Sequence, residues 1–167
     1  MGYHDHKEKS PTSVACAVVT ISDSRTEATD ESGRFMKERL AAAGHPVTFY
    51  ALLKNDAAKI AATVKDLVAN PQVQVIIATG GTGAGSRDLT VETVTPMLDK
   101  KLDGFGELFR FLTYQELGTA SIMSRALAGV VKGKVIICLP GSLGAVTLAM
   151  DRIILPELGH LVREATR

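Results

Sequence analysis

The chain has no tryptophan, only three tyrosines and five phenylalanines, and two cysteines in 167 residues. So few aromatics give no stacking platform along which single-stranded bases could be read. Two thiols are too few for a secreted disulfide scaffold. Cys16 and Cys138 both fall inside apolar runs, where a thiol serves as a small core hydrophobe. Charge of one sign is also missing, with 19 Lys and Arg against 18 Asp and Glu. Such a balance offers no basic field to displace counterions from a phosphate backbone, so DNA and RNA are excluded as principal ligands. No apolar run reaches the roughly 18 residues that a membrane span requires. The first thirteen residues are polar and lack the apolar core of a secretory signal, which points to a cytoplasmic protein with a flexible tail over residues 1–13. Met1-Gly2 opens like a myristoylation site, but His6 stands where Ser or Thr is needed. His4 and His6 of the tail are read as incidental rather than as a metal site.

What is present is apolar sequence in quantity, 46% of residues, enough for residues 14–167 to bury one core. Ala15 to Ile21 is a continuous apolar run, the mark of a strand covered on both faces. Asp30 caps a helix from Glu31 to Ala43, which Gly44 stops. Pro46 to Leu53 reads as a second strand, followed by a helix with Ile60, Val64 and Leu67 on one stripe. Val73 to Thr79 is a third strand, and a short helix capped by Thr90 follows to about Leu98. Phe105 to Leu117 is helical in pattern, Ser121 to Ala128 is read as a further helical segment, and Lys132-Gly133 is a turn. Val135 to Leu139 is the last strand, and a C-terminal helix kinked at Pro156 runs to about Ala165. Strands alternating with helices predict an α/β fold with three αβα layers around a mostly parallel sheet.

Ligands of such sheets collect beyond the carboxyl ends of the strands. Four segments meet that criterion: Ser22 to Arg25, Asn55-Asp56, Gly80 to Asp88, and Pro140 to Ser142. Gly80, Gly81, Gly83 and Gly85 follow a buried strand and precede a helix, so backbone N–H groups can approach a phosphate without interference from a Cβ. Ser86-Arg87 stands where a P-loop needs Lys and Ser or Thr, and the dinucleotide fingerprint fails at Ser86. A tight turn that merely needs glycine is the competing reading. Asp88 and Glu92 are one helical turn apart beside that loop, where a Mg²⁺ shared with substrate phosphates would relieve their repulsion of the ligand. Helix capping by Asp88 and solvation of Glu92 is the plainer account. Ser142 similarly either caps its helix or adds a second anion site. No Ser/His/Asp or Cys/His arrangement is legible, which argues against covalent catalysis.

Together, Thr20-Ile21-Ser22-Asp23, Asp30-Glu31-Ser32-Gly33, Gly80-Gly81-Thr82-Gly83 with Arg87-Asp88, Gly104-Phe105-Gly106-Glu107, Ser124-Arg125 and Leu139-Pro140-Gly141-Ser142 resemble the MoaB/MogA family of molybdenum-cofactor biosynthesis proteins. The resemblance runs from about Val14 to the C-terminal helix and lies nearest the MoaB branch. It implies Mg-ATP-dependent adenylylation of molybdopterin, in which the substrate's own phosphate is the nucleophile and pyrophosphate leaves. It also implies a trimer or hexamer and a separate MoeA-type molybdenum insertase as partner. Carried over by position, Gly80, Gly81, Thr82, Gly83 and Ser86 would hold phosphate, and Asp88 would engage Mg²⁺ and nucleotide. Arg87 would stabilise developing charge, with Asp56 as a further catalytic carboxylate. Ser22, Asp23, Glu107, Gly141 and Ser142 would complete the substrate site. Asn55 departs from the acidic pair that active members carry there, which leaves a catalytically weak or inactive molybdopterin-binding carrier paralogue as the alternative.

Overall fold

The computed structural model describes residues 8–167. The polar tail as far as residue 7, with His4 and His6, lies outside the described residues. Six strands form one sheet: β1 (Cys16–Ile21), β2 (Val47–Leu53), β3 (Val75–Thr79), β4 (Lys100–Lys101), β5 (Leu127–Val131) and β6 (Lys134–Leu139), in the order β2-β1-β3-β6-β5-β4. The first three strands and β6 run parallel, while β5 is antiparallel to both β6 and β4. The expected α/β architecture with a mostly parallel sheet is therefore present.

Alternation along the central strands explains the layers, because successive side chains leave opposite faces of a sheet. Cys16, Val18, Val75, Ile77, Val135 and Ile137 enter one core with α1 (Glu31–Ala42), α4 (Asp103–Leu117), α5 (Leu143–Ala149) and α6 (Leu155–Ala165). Ala17, Val19, Ile76, Ala78, Ile136 and Cys138 enter the other, against α2 (Ala57–Ala69) and α3 (Thr90–Val94). Both cysteines are fully buried, and burial pushes each thiol pKa up to about 12. They are core hydrophobes, as their setting in apolar runs requires.

Three local expectations are corrected. Residues 121–128 are not a helix: a 3₁₀ segment, Gly118–Met123, gives way to strand β5. Lys132 and Gly133 have φ of 47° and 76°, the two left-handed residues of a tight hairpin, and that hairpin needs a strand on each side. Thr90 does not cap α3, since Leu89 holds the cap position and the Thr90 hydroxyl donates to Gly80 O at 2.7 Å. The C-terminal helix widens into a π turn, Met150–Ile154, before Pro156. Proline lacks an N–H and its ring crowds the carbonyl four residues back, and a wider turn accommodates both.

Candidate functional site

The strand order places the site. From β1 the chain steps to one side for β2 and to the other for β3, and a crevice opens at such a reversal beyond the carboxyl ends. Register then sets three loops abreast, because Thr20 pairs with Thr79 and Thr79 with Leu139. The segments beginning at Ser22, Gly80 and Pro140 consequently share one rim, and Asn55 joins it two residues after β2. A cavity of about 610 Å³ lies between this rim and the far half of α4.

The glycine loop is held from below. Gly80 N donates to Leu139 O, and Thr90 binds the loop twice, through its hydroxyl to Gly80 O and its N–H to Gly81 O. Gly80 has φ of +95°, and a Cβ there would fall 2.0 Å from Ile21 O, so no side chain fits. Asp88 lies across the loop, with Oδ2 accepting from Gly85 N at 3.0 Å. The Asp88 carboxylate also lines the cavity.

Asp23 organises the opposite rim. Its Oδ1 accepts from Asn55 N at 3.0 Å and its Oδ2 from Arg87 at 3.0 to 3.1 Å. The Asn55 N–H, followed by the Arg87 guanidinium, holds this carboxyl below its usual range against a smaller opposing effect of desolvation. Ser22 Oγ accepts from Arg25 N at 3.1 Å and turns the loop. On the third loop, Thr79 Oγ1 donates to Pro140 O and Ser32 Oγ to Gly141 O, each at 2.9 Å. Ser142 caps α5 by accepting from Ala145 N.

Beneath the floor, Asp30 is 1% exposed, accepting from Gly33 N at 2.9 Å and from the Tyr50 hydroxyl at 2.5 Å. Burial pushes its pKa upward, but Tyr50, Thr20, Gly33 N–H and the charge of Arg25 together outweigh burial and lower it. The Thr20 hydroxyl stands beside this carboxylate at the cavity floor without completing a hydrogen bond.

The structure brings together Ser22, Asp23, Gly80, Gly81, Thr82, Gly83, Asp88, Gly141 and Ser142 around one cavity. Arg87 and Ser86 sit on the exposed outer turn of the glycine loop, and Arg87 reaches the site through Asp23. Two residues stand elsewhere. Asp56 caps α2, accepting from Lys59 N at 3.0 Å, and does not line the cavity. Glu107 is on the exposed face of α4, away from the cavity. The pairing of Asp88 with Glu92 is also absent, since Glu92 points to Arg125, which holds its carboxyl below its usual range. Among the described residues no three His, Cys, Asp or Glu side chains gather as a metal cage. A cation here would be shared between Asp88 and ligand phosphates, a mode that suits Mg²⁺.

Sequence reasoning missed the second wall: Phe109, Thr113, Glu116, Leu117, Met123 and Ser124. Only the Ser124-Arg125 pair carried any signal. Ser124 Oγ and Asn55 Oδ1 are buried without a hydrogen-bond partner among the described residues, and both residues line this cavity. Buried polar atoms are rarely left unsatisfied, so their convergence on one cavity marks where a ligand's polar groups belong.

A glycine turn with the Asp88 carboxylate across it and unpaired polar atoms, set at a parallel-sheet switch point, define a protein of the molybdopterin-binding fold. Residues 17–160 match the family described as a probable molybdopterin binding domain, and the chain belongs to that family. It is 48% identical over 165 residues to molybdenum cofactor biosynthesis protein B of Halalkalibacterium halodurans, covering 98% of this chain and 97% of that one. Against the protein of the same name from Bacillus subtilis the identity is 44% over 165 residues, with the same coverage, 98% and 97%. A crystal structure of a molybdenum cofactor biosynthesis protein B superposes with a TM-score of 0.90 at 47% identity, covering 94% of this chain and 98% of that one. The tungsten cofactor synthesizing protein MoaB from Pyrococcus furiosus gives 0.85 at 32% identity, covering 94% and 99%. The chain is thus a member of the molybdenum cofactor biosynthesis proteins.

Proposed function

We propose that the protein transfers an adenylyl group from Mg-ATP to molybdopterin. The observation that carries this reading is the convergence of Asn55 Oδ1 and Ser124 Oγ, both unpartnered, on the same cavity as the Gly80–Gly83 turn and Asp88. A phosphate oxygen of molybdopterin attacks the α-phosphorus of ATP, the bond to the β-phosphate bridging oxygen breaks, and pyrophosphate leaves. Because the substrate is its own nucleophile, the protein supplies position and charge, and no catalytic triad is needed.

Gly81, Thr82 and Gly83 present backbone N–H groups to phosphate above Gly80, whose own N–H goes to Leu139 O, and Gly141 and Ser142 close the same site from β6. Arg87 is paired with Asp23, and a phosphate arriving at the rim competes for that guanidinium. Asp88 fits a Mg²⁺ site, since Oδ2 is tied to Gly85 N and Oδ1 takes no hydrogen bond from the described residues. Magnesium, when bound there with the nucleotide, supplies neutralisation of phosphate charge. Asp56 contributes through the α2 cap rather than by touching substrate.

A second reading is a molybdopterin carrier that has kept the cavity without the transfer step. The amide at Asn55 and the capping role of Asp56 favour it, because both leave Asp88 and Asp23 as the carboxylates at the cavity beside Glu116. The deciding experiment supplies purified protein with molybdopterin and Mg-ATP and follows pyrophosphate release, with Asp88→Asn as control. Turnover that Asp88→Asn abolishes supports transfer. Pterin binding without turnover replaces that reading with the carrier.

No helix among the described residues is long and apolar enough to cross a membrane, and the reading places the protein in the cytoplasm. The exposed apolar side chains Phe111, Tyr114, Leu117, Ile122 and Met123 support self-association, which we read as a trimer or hexamer. A MoeA-type insertase would receive the adenylylated product.

A further inference from the structure

The two ends of the Asn55 amide do different things. Asn55 N donates to Asp23 Oδ1, and the side-chain amide lies near enough to that carboxylate to help hold it below its usual range. A carboxylate only accepts, so the amide nitrogen is the end facing Asp23. Oδ1 is thereby turned toward the glycine loop, where it is buried with no donor, 2.5 Å from the point a Cβ on Gly81 would occupy. The absence of that Cβ leaves Oδ1 its room.

Ionised phosphate oxygens accept hydrogen bonds and cannot satisfy a carbonyl oxygen, whereas a neutral hydroxyl or amine can. The geometry points to Asn55 as a specificity-determining residue: its Oδ1 accepts a hydrogen bond from a neutral O–H or N–H donor on the part of the substrate adjoining the phosphate held by Gly80–Gly83. This rests on the reading above that phosphorylated small molecules fill the cavity. The donor has two possible sources there, the ribose of the nucleotide or the pterin. An amide at this position also keeps a further negative charge away from Asp23 and Asp88. A role as cation ligand makes the opposite demand, because a carboxylate would then serve better than an amide.

The test is a set of binding titrations on wild type, Asn55→Leu and Asn55→Asp, with Mg-ATP against Mg-tripolyphosphate and with molybdopterin against inorganic phosphate. Expected for Asn55→Leu is a loss of about tenfold or more for one organic ligand, with its phosphate-only probe held within about twofold. Loss confined to Mg-ATP assigns the donor to the nucleotide, and loss confined to molybdopterin assigns it to the pterin. Asn55→Asp should weaken phosphate probes as well, since it sets a carboxylate against Asp23. Tighter Mg-tripolyphosphate binding by Asn55→Asp would overturn the proposal in favour of a cation ligand. Equal losses for organic ligand and phosphate probe in Asn55→Leu would overturn it too. A wild type that binds no Mg-ATP defeats the adenylyl-transfer reading, and the molybdopterin pair then decides Asn55 alone.

Discussion

The two ends of the parallel strands differ in how completely they pair their buried polar atoms. At the amino end, side chains from neighbouring segments close off the backbone. Val14 N donates to His45 Nδ1 at 3.1 Å, Ala15 N to Gln74 Oε1 at 2.9 Å, and Lys134 Nζ to Leu67 O and Asn70 O. At the carboxyl end, side chains such as Thr79, Ser32 and Thr90 hold the loops from below, yet Asn55 Oδ1 and Ser124 Oγ remain unpaired among the described residues. An unsatisfied buried polar atom costs about 1–3 kcal/mol, so the fold tolerates at one end what it removes at the other. The contrast separates the half of the sheet that stabilises from the half that binds.

Breaking the carboxyl end by chemistry alone should give the largest effect. Asp88→Asn is expected to lower pyrophosphate release by about a hundredfold or more. The melting temperature should scarcely move, since an amide oxygen can still accept from Gly85 N. A melting temperature that falls with activity would place Asp88 among structural residues. Breaking the same end by shape should instead destabilise the fold. Gly80→Ala forces a Cβ against Ile21 O at φ of +95°, and urea unfolding should register a loss of at least about 3 kcal/mol.

The floor lies between these extremes. Tyr50→Phe removes one donor to the buried Asp30 carboxylate and should cost about 1–3 kcal/mol at neutral pH. Because the folded Asp30 pKa is lowered, its stabilising contribution is present above the unfolded value and lost as pH falls through the folded one. Losing Tyr50 moves the folded value up, so acid unfolding of the variant should begin at higher pH. An unchanged acid limb would show that Gly33 N–H and Arg25 suffice.

The smallest effect is expected at the amino end. Burial lowers the His45 pKa, so the neutral ring that accepts from Val14 N is favoured. Stability from this contact is complete above the unfolded histidine pKa, about 6.5, and declines as pH falls through the folded value. His45→Gln retains an acceptor that does not titrate there, and its stability should vary less than wild type between pH 7 and 5. A parallel pH dependence would remove His45 as the cause.

The strands β1, β3 and β6 were legible because each is a buried apolar run ending in a turn, and the Asp30 cap followed from local hydrogen bonding. Strand β5 was misread because five apolar residues carry no period that separates a short strand from a helix, and only pairing with β6 decides. The roles of Asp56 and Glu92 were illegible for a different reason. A carboxylate near a phosphate loop has the same sequence signature whether it faces a ligand, an N-terminal helix N–H or, as Glu92 does, Arg125.

By itself the sequence determined the buried parallel strands, the glycine turn and the chemistry placed at their ends, because backbone sterics and hydrophobic periodicity act within a few residues. Tertiary structure alone decided which carboxylates face the cavity and that α4 with the following 3₁₀ segment builds its second wall. It also decided that Asn55 and Ser124 go unpaired. Those outcomes depend on contacts between residues far apart in the chain, and strand order and register, not local preference, bring such residues together.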